Sequence, residues 1–207
     1  MMYGIRKPRR PCSHFCQGFF ILGLMLMSLW PISLMAEEPR PPLSPSALFD
    51  ALRVEDRRSL PFHESRQLPE MKRSIKTSGQ LEFRPPDALA KQVLLPKPAN
   101  YRIEGQRLTM TTPDAKESLE MDLATIPALH VLSETLQAVF SGDIPRIERL
   151  WVMHLGGSWK RWRLVLTPQQ GEEPLAIREI QIEGHQSVLD RMTLTEATGA
   201  VDTLEFR

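Results

Sequence analysis

Beyond residue 36, the imidazoles available for acid–base work or metal ligation are His63, His130, His154 and His185. No two of them stand at a metal-ligand spacing, and no cysteine is there to complete a set. Cys12 and Cys16 both fall within the first 36 residues, so the remainder has no thiol for attack on a substrate and none for a disulfide. The adjacent acids Glu37-Glu38 and Glu172-Glu173 stand in polar stretches and read as solvated carboxylates. Gly156-Gly157-Ser158 is the nearest approach to a glycine-rich loop and reads as a plain loop ahead of Trp159. His130 falls inside a helical pattern, where a helix-flank or hydrogen-bonded imidazole is the ordinary reading. There is no G-x-S-x-G elbow, no P-loop and no dinucleotide pattern. We therefore expect no catalytic residue, no metal and no cofactor. The function is expected in binding, through concave apolar surface.

The elements that must build such a surface are legible from periodicity. Ser44-Pro45 opens a short helix with Leu48, Phe49 and Leu52 on one side. Alternation then predicts short strands: Ser59–Arg66, Gln80–Arg84 after a turn at Thr77-Ser78-Gly79, Leu89–Leu95, a hairpin of Tyr101–Ile103 and Leu108–Met110 around Gly105, and Ser118–Leu123. The period changes at Pro127. Leu129, Leu132, Leu136, Val139 and Phe140 recur at helical spacing up to Gly142, and Asp143 caps a second short helix bearing Ile144, Ile147, Leu150 and Trp151. Strand alternation returns with Trp162, Leu164 and Leu166, a polar turn at Gln169–Pro174, then Ile180 and Ile182, Met192 and Leu194, and finally Val201, Leu204 and Phe206. Eight to eleven short strands in hairpin order, with few helices between them, predict an α+β fold with an antiparallel sheet and helices over one face.

The first 36 residues read differently. Arg6, Lys7, Arg9 and Arg10 precede the apolar run Phe19–Trp30, and Ala36 follows as a small residue before Glu37. A basic start, an apolar stretch and a small residue make a secretory signal peptide over residues 1–36, followed by a proline-rich linker over 37–45 and a folded domain over 46–207. The alternative is an uncleaved anchor helix, since residues 15–36 are long enough to span a bilayer. Removing the leader takes away four of the 26 basic residues and none of the 25 acidic ones, leaving a net charge of about −3. A mildly acidic chain without a basic excess is not one that binds nucleic acid by neutralising phosphates.

Residues 48–110 resemble the LolA family of periplasmic lipoprotein carriers. The likeness rests on the short helix, Phe62-His63-Glu64, the segment SGQLEFRPPDAL at Ser78–Leu89, Pro98, and YRIEGQRLTM at Tyr101–Met110; Gly199-Ala200-Val201-Asp202 and Glu205-Phe206 are similar to the family's last strands. The stretch FRPPDALAKQVLLPKP resembles a divergent branch of that family. The resemblance implies an unclosed antiparallel half-barrel with a helical lid, and a periplasmic monomer that is no enzyme. It further implies a carrier that takes a lipid or lipoprotein acyl chains from an inner-membrane exporter toward an outer-membrane acceptor, or alternatively a non-carrying module that docks on an exporter or envelope assembly. Under it, Leu81, Phe83, Leu89, Trp162, Leu164, Ile180, Ile182, Met192 and Leu194 line the lipid trough or the core beneath the lid. Leu129, Leu132, Leu136, Val139 and Phe140 form the apolar side of the lid, and Arg84 matches the arginine that tethers it. If the leader is processed as expected, N-terminal sequencing of the exported protein starts at or near Glu37; intact Met1 in an inner-membrane fraction would show an anchor instead.

Overall fold

The structure is a computed structural model and describes residues 41–115, 117–169 and 176–207. The expected leader, the first part of the linker and most of the expected turn at 169–174 lie outside the described residues.

Three helices begin where the sequence places their caps. In α1 (Pro45–Leu52), Ser44 Oγ accepts from the Ala47 amide at 3.2 Å and Pro45 occupies the first turn. Helix α2 (Pro127–Ser141) starts at a proline and stops at Gly142, whose φ of 74° closes the helix in the left-handed region. In α3 (Ile144–Leu150), Asp143 Oδ1 accepts from the Arg146 amide at 3.1 Å.

Among the described residues, eleven strands make one sheet: β1 (Arg58–Gln67), β2 (Ile75–Arg84), β3 (Ala88–Leu95), β4 (Ala99–Glu104), β5 (Arg107–Thr111), β6 (Leu119–Asp122), β7 (Trp151–Ser158), β8 (Arg161–Pro168), β9 (Ile177–His185), β10 (Val188–Glu196) and β11 (Val201–Phe206). Their order is β6-β5-β4-β3-β2-β1-β11-β10-β9-β8-β7, antiparallel throughout. This is the expected unclosed antiparallel half-barrel, with β6 and β7 as its two free edges. The chain leaves the sheet at one edge and re-enters at the other, and α2 and α3 are the connection. One continuous core joins the buried residues of the helices to those of the strands. The edge-to-edge crossing therefore lies over one face of the sheet.

Two glycine-containing segments differ from the sequence reading. Thr77-Ser78-Gly79 is not a turn but lies inside β2, and Gly156-Gly157-Ser158 is not a loop but ends β7. Glycine in a strand marks close backbone approach as often as it marks a turn. A Cβ on Gly79 would fall 1.8 Å from the Gln92 carbonyl oxygen, at the register shift between β2 and β3. Gly184 makes room for an indole, and Gly157, at φ 96°, for the backbone of β8, where a Cβ would fall 2.3 Å from the Arg161 carbonyl oxygen. Trp162 is paired across the sheet with Gly157 on one side and Gly184 on the other, and its Nε1 donates to the Gln186 carbonyl at 3.0 Å. A Cβ on Gly184 would lie 2.4 Å from the indole and 2.1 Å from the Val188 carbonyl oxygen. We expect Gly184→Ala to destabilise the fold by about 1–3 kcal/mol through this overpacking, read as a lower midpoint in chemical denaturation; an unchanged midpoint would show that the indole has another place to go.

Candidate functional site

The strand registers define one inner face. On one half of the sheet, Leu60, Leu81, Lys91, Tyr101, Met110 and Leu119 stand in one cross-strand row, and Phe83, Leu89, Ile103, Leu108 and Met121 in the next. On the other half, Leu204, Met192, Ile182, Leu164 and Leu155 make one row, and Leu194, Ile180, Leu166 and Met153 another. Paired residues of an antiparallel sheet point to the same side. The rows are therefore apolar stripes across strands far apart in sequence, interrupted at Lys91 in the first. All nine residues expected to line the trough are buried on this face: Leu81, Phe83, Leu89, Trp162, Leu164, Ile180, Ile182, Met192 and Leu194.

Helix α2 rests against it. Leu136, Val139 and Phe140 are buried, with the Phe140 ring centroid 5.3 Å from that of Phe83. Leu129 and Leu132 are partly buried and pack against the same core. The helix is enclosed on its other side as well, because α1 and α3 pack against it. Its polar residues Ser133, Thr135 and Gln137 are buried too, and each is satisfied. Thr135 Oγ1 donates to the Val131 carbonyl at 2.7 Å and accepts from Trp151 Nε1 at 2.8 Å. Gln137 Nε2 donates to the Asp87 carbonyl at 2.7 Å, while its Oε1 accepts from Arg146 at 3.0 Å.

Arg84 does not hold the helix. It is exposed, and its guanidinium meets Glu82 on its own strand at 3.1 Å. Period 2 explains this: with Leu81 and Phe83 inward, Arg84 is turned outward. The polar ties belong to residues the sequence reading did not single out. Gln137 reaches the β2–β3 turn at Asp87. Arg58, the inward partner of Phe83, donates to the Ser187 carbonyl at 2.9 Å and the Leu52 carbonyl at 3.4 Å, linking the end of α1 to the β9–β10 turn. The Val54 amide donates to the Phe140 carbonyl at 2.8 Å. Arg58 carried a readable signal, since it alternates in phase with Leu60 and Phe62. Gln137 carried one as a lone amide in the apolar half of α2.

The inner face turns polar toward the end of β1 that leads into β2. Glu64 receives Lys91 at 2.5 Å and the Thr77 hydroxyl, and the Lys91 ammonium stands 5.2 Å from the centre of the Phe62 ring. Arg66 forks between Asp202 at 2.7 Å and Glu196 at 2.8 Å. Burial pushes the Asp202 carboxyl above its ordinary value, against the opposing pull of Arg66, and its Oδ1 has no hydrogen-bond partner. Elsewhere, a cleft of about 510 Å³ is lined by Glu104, Gln106, Arg107, Glu120, Met121 and Asp122, at the β4–β5–β6 edge. Among the described residues, no group of three or more His, Cys, Asp or Glu is placed to hold a metal ion, and no helix is long and apolar enough to cross a membrane.

The sequence profile of a family described as "Outer membrane lipoprotein carrier protein LolA-like" matches residues 47–203. No curated protein matches in sequence. Similar solved structures include a LolA superfamily protein from Nitrosomonas europaea, at 9% identity and TM-score 0.41, covering 80% of this chain and 92% of that one. A putative outer membrane lipoprotein-sorting protein domain from Vibrio parahaemolyticus gives 9% identity and TM-score 0.40, covering 78% of this chain and 88% of that one. The MucA/MucB complex from Pseudomonas aeruginosa gives 12% identity and TM-score 0.41, covering 78% of this chain and 55% of the matched one.

The raised Asp202 value has a consequence for stability. A carboxyl that holds its proton more tightly when folded favours folding at low pH; that contribution is lost as pH rises from the unfolded value of 3.8 through the raised folded one. Asp202→Asn removes this component. The difference in melting temperature, variant minus wild type, is expected to rise with pH across that window and then level off; a flat difference would show that Asp202 titrates as it does in the unfolded chain.

Proposed function

Since this chain belongs to the family of LolA-like outer membrane lipoprotein carrier proteins, we propose that it is a periplasmic carrier that holds a lipid, or the acyl chains of a lipoprotein, between the inner face of the sheet and α2. It receives that cargo from an inner-membrane exporter and passes it toward an outer-membrane acceptor. The observation that carries this reading is the set of apolar stripes on the inner face under a single helical crossing. Its lining is the set around Phe83, Leu89, Leu164, Ile182 and Met192, with Leu81, Trp162, Ile180 and Leu194 completing the stripes. Each methylene that leaves water for such a surface gains about 0.8 kcal/mol, so an acyl chain is held without specific polar contacts. Leu136, Val139 and Phe140 occupy the position that the chain would take. Cargo and helix therefore compete for one surface, and the helix acts as the lid. On this reading the protein binds and releases, and performs no catalysis.

A second reading has its own support. The inner face is filled by the protein's own side chains, and the cleft of about 510 Å³ lies at the sheet edge, where it meets the apolar stripes only at Met121. A scaffold with a filled trough suits a module that docks on an exporter or envelope assembly and carries nothing.

One variant separates the two. Phe140→Ala removes the ring packed on Phe83 and is expected to destabilise the fold by about 3–5 kcal/mol. For a carrier, a long-chain fatty acid added to the variant fills the gap and recovers a measurable part of the lost melting temperature, and mass spectrometry of detergent-free wild-type protein finds bound lipid. If neither occurs, the docking reading replaces the carrier reading.

A further inference from the structure

Four of the large apolar side chains most exposed to solvent gather at one end of the sheet. Leu95 is 64% exposed, Leu94 47%, Ile75 42% and Met71 40%. Met71 lies in the β1–β2 turn and Ile75 opens β2; Leu94 and Leu95 close β3. The pairing of Ser78 with Leu95 puts both turns side by side at the end away from the β2–β3 turn that Gln137 grips. Cations are interleaved with these side chains: Lys72, Arg73 and Lys76 around the first turn, and Lys97 in the β3–β4 turn. All four are exposed, and none makes a hydrogen bond or ion pair with the described residues. Elsewhere on the surface Arg57, Arg102, Arg163 and Arg191 are paired with carboxylates, while Lys160 and Arg161 at the β7–β8 turn are exposed without a partner among the described residues and without the apolar side chains that mark this rim. Glu70 is the only acid within the β1–β2 turn, and Asp114 and Glu117 stand in the next turn along the rim.

We propose that this rim docks on the surface of an anionic lipid bilayer, with Met71, Ile75, Leu94 and Leu95 entering the headgroup boundary and Lys72, Arg73, Lys76 and Lys97 meeting lipid phosphates. Unpaired cations seek an anionic partner, and lysines or arginines close to an anionic leaflet each add a contribution that salt screens away. Apolar side chains set among such cations are the pattern of an interfacial contact, in which the chain lies in the headgroup layer without spanning it. A bilayer suits this rim better than a protein does: the apolar side chains stand in one turn and at the ends of two strands, and the clefts at Glu104–Asp122 and Glu82–Arg102 lie elsewhere. The inference is independent of what the trough holds, so its failure would leave the carrier reading standing. Its success gives either version of the function a way of working at a membrane face.

The test is co-sedimentation of the full chain with vesicles of phosphatidylcholine alone and of phosphatidylcholine with one quarter phosphatidylglycerol. Binding is expected to the anionic vesicles and to weaken as salt is raised. Lys72→Gln with Arg73→Gln is expected to weaken it about 25-fold, about fivefold for each charge lost. Leu94→Ser with Leu95→Ser is expected to weaken it about 10-fold or more with the charge intact. Lys160→Gln with Arg161→Gln removes the same charge at the β7–β8 turn, the opposite end of the sheet, and is expected to leave binding unchanged; any bilayer contact by the leader is common to all variants and cancels. Circular dichroism and melting curves confirm that each variant folds. Equal binding to both vesicle types would overturn the proposal, as would equal losses in the two charge pairs. So would absence of vesicle binding with Lys72- and Arg73-dependent binding to polyglutamate, which would assign the rim to an acidic protein instead.

Discussion

The burial of α2 between the inner face of the sheet and the flanking helices α1 and α3 is the interaction on which the rest of this molecule depends. An eleven-stranded antiparallel sheet with one apolar face cannot leave that face in water, and among the described residues the connection from one edge to the other is the one carrying α2. Leu136, Val139 and Phe140 each contribute roughly 1.5–3 kcal/mol on full burial. Together that is comparable with the whole stability of an ordinary domain, about 5–15 kcal/mol. The helix cannot simply swing away. Whatever displaces it must supply equivalent apolar contact as it goes, and an acyl chain meets that requirement.

The polar ties are arranged consistently with such an exchange. They are few, and they sit at the ends of elements: Gln137 to the Asp87 carbonyl, Arg58 to the Ser187 and Leu52 carbonyls, and the Val54 amide to the Phe140 carbonyl. Each is a hydrogen bond worth on the order of 1 kcal/mol net. They set the position of the helical layer without dominating its stability. The edges β6 and β7 matter for the same reason, since among the described residues no hydrogen-bonded seam joins them to close the half-barrel.

Paired charges lie on the inner face of the sheet, and partnerless ones at its ends. Toward the β2–β3 turn, the helices cover the strands and polar groups serve as ties. Toward the β1–β2 turn, the inner face carries the internally paired Glu64–Lys91 and Arg66–Asp202 groups, and the rim beyond carries cations without partners among the described residues, as does the β7–β8 turn at the other end. Pairing inside and non-pairing outside have one cause. A buried charge left alone is costly, whereas an exposed one is solvated until a partner arrives.

Much of this was legible in the chain. Alternation placed Leu81 with Phe83, Leu164 with Trp162, and Ile180 with Ile182 on common faces, and the change of period at Pro127 marked the helix that covers them. These are local properties, set by the two-residue repeat of a strand and the 3.6-residue repeat of a helix. Local pattern also held the answer for Arg84, since an inward Phe83 requires an outward neighbour. Other features were out of reach because they depend on register between distant segments. The pairing of Phe62 with Phe206 joins the two halves of the sheet and sets Arg66 opposite Asp202. The indole of Trp162 gives Gly184 its purpose, and the close backbone of β8 gives Gly157 its own, where the sequence offered only a loop signal. Periodicity can say that residues share a face; which strand lies beside which, and so which face is covered, follows only when contacts across more than a hundred residues of chain are made.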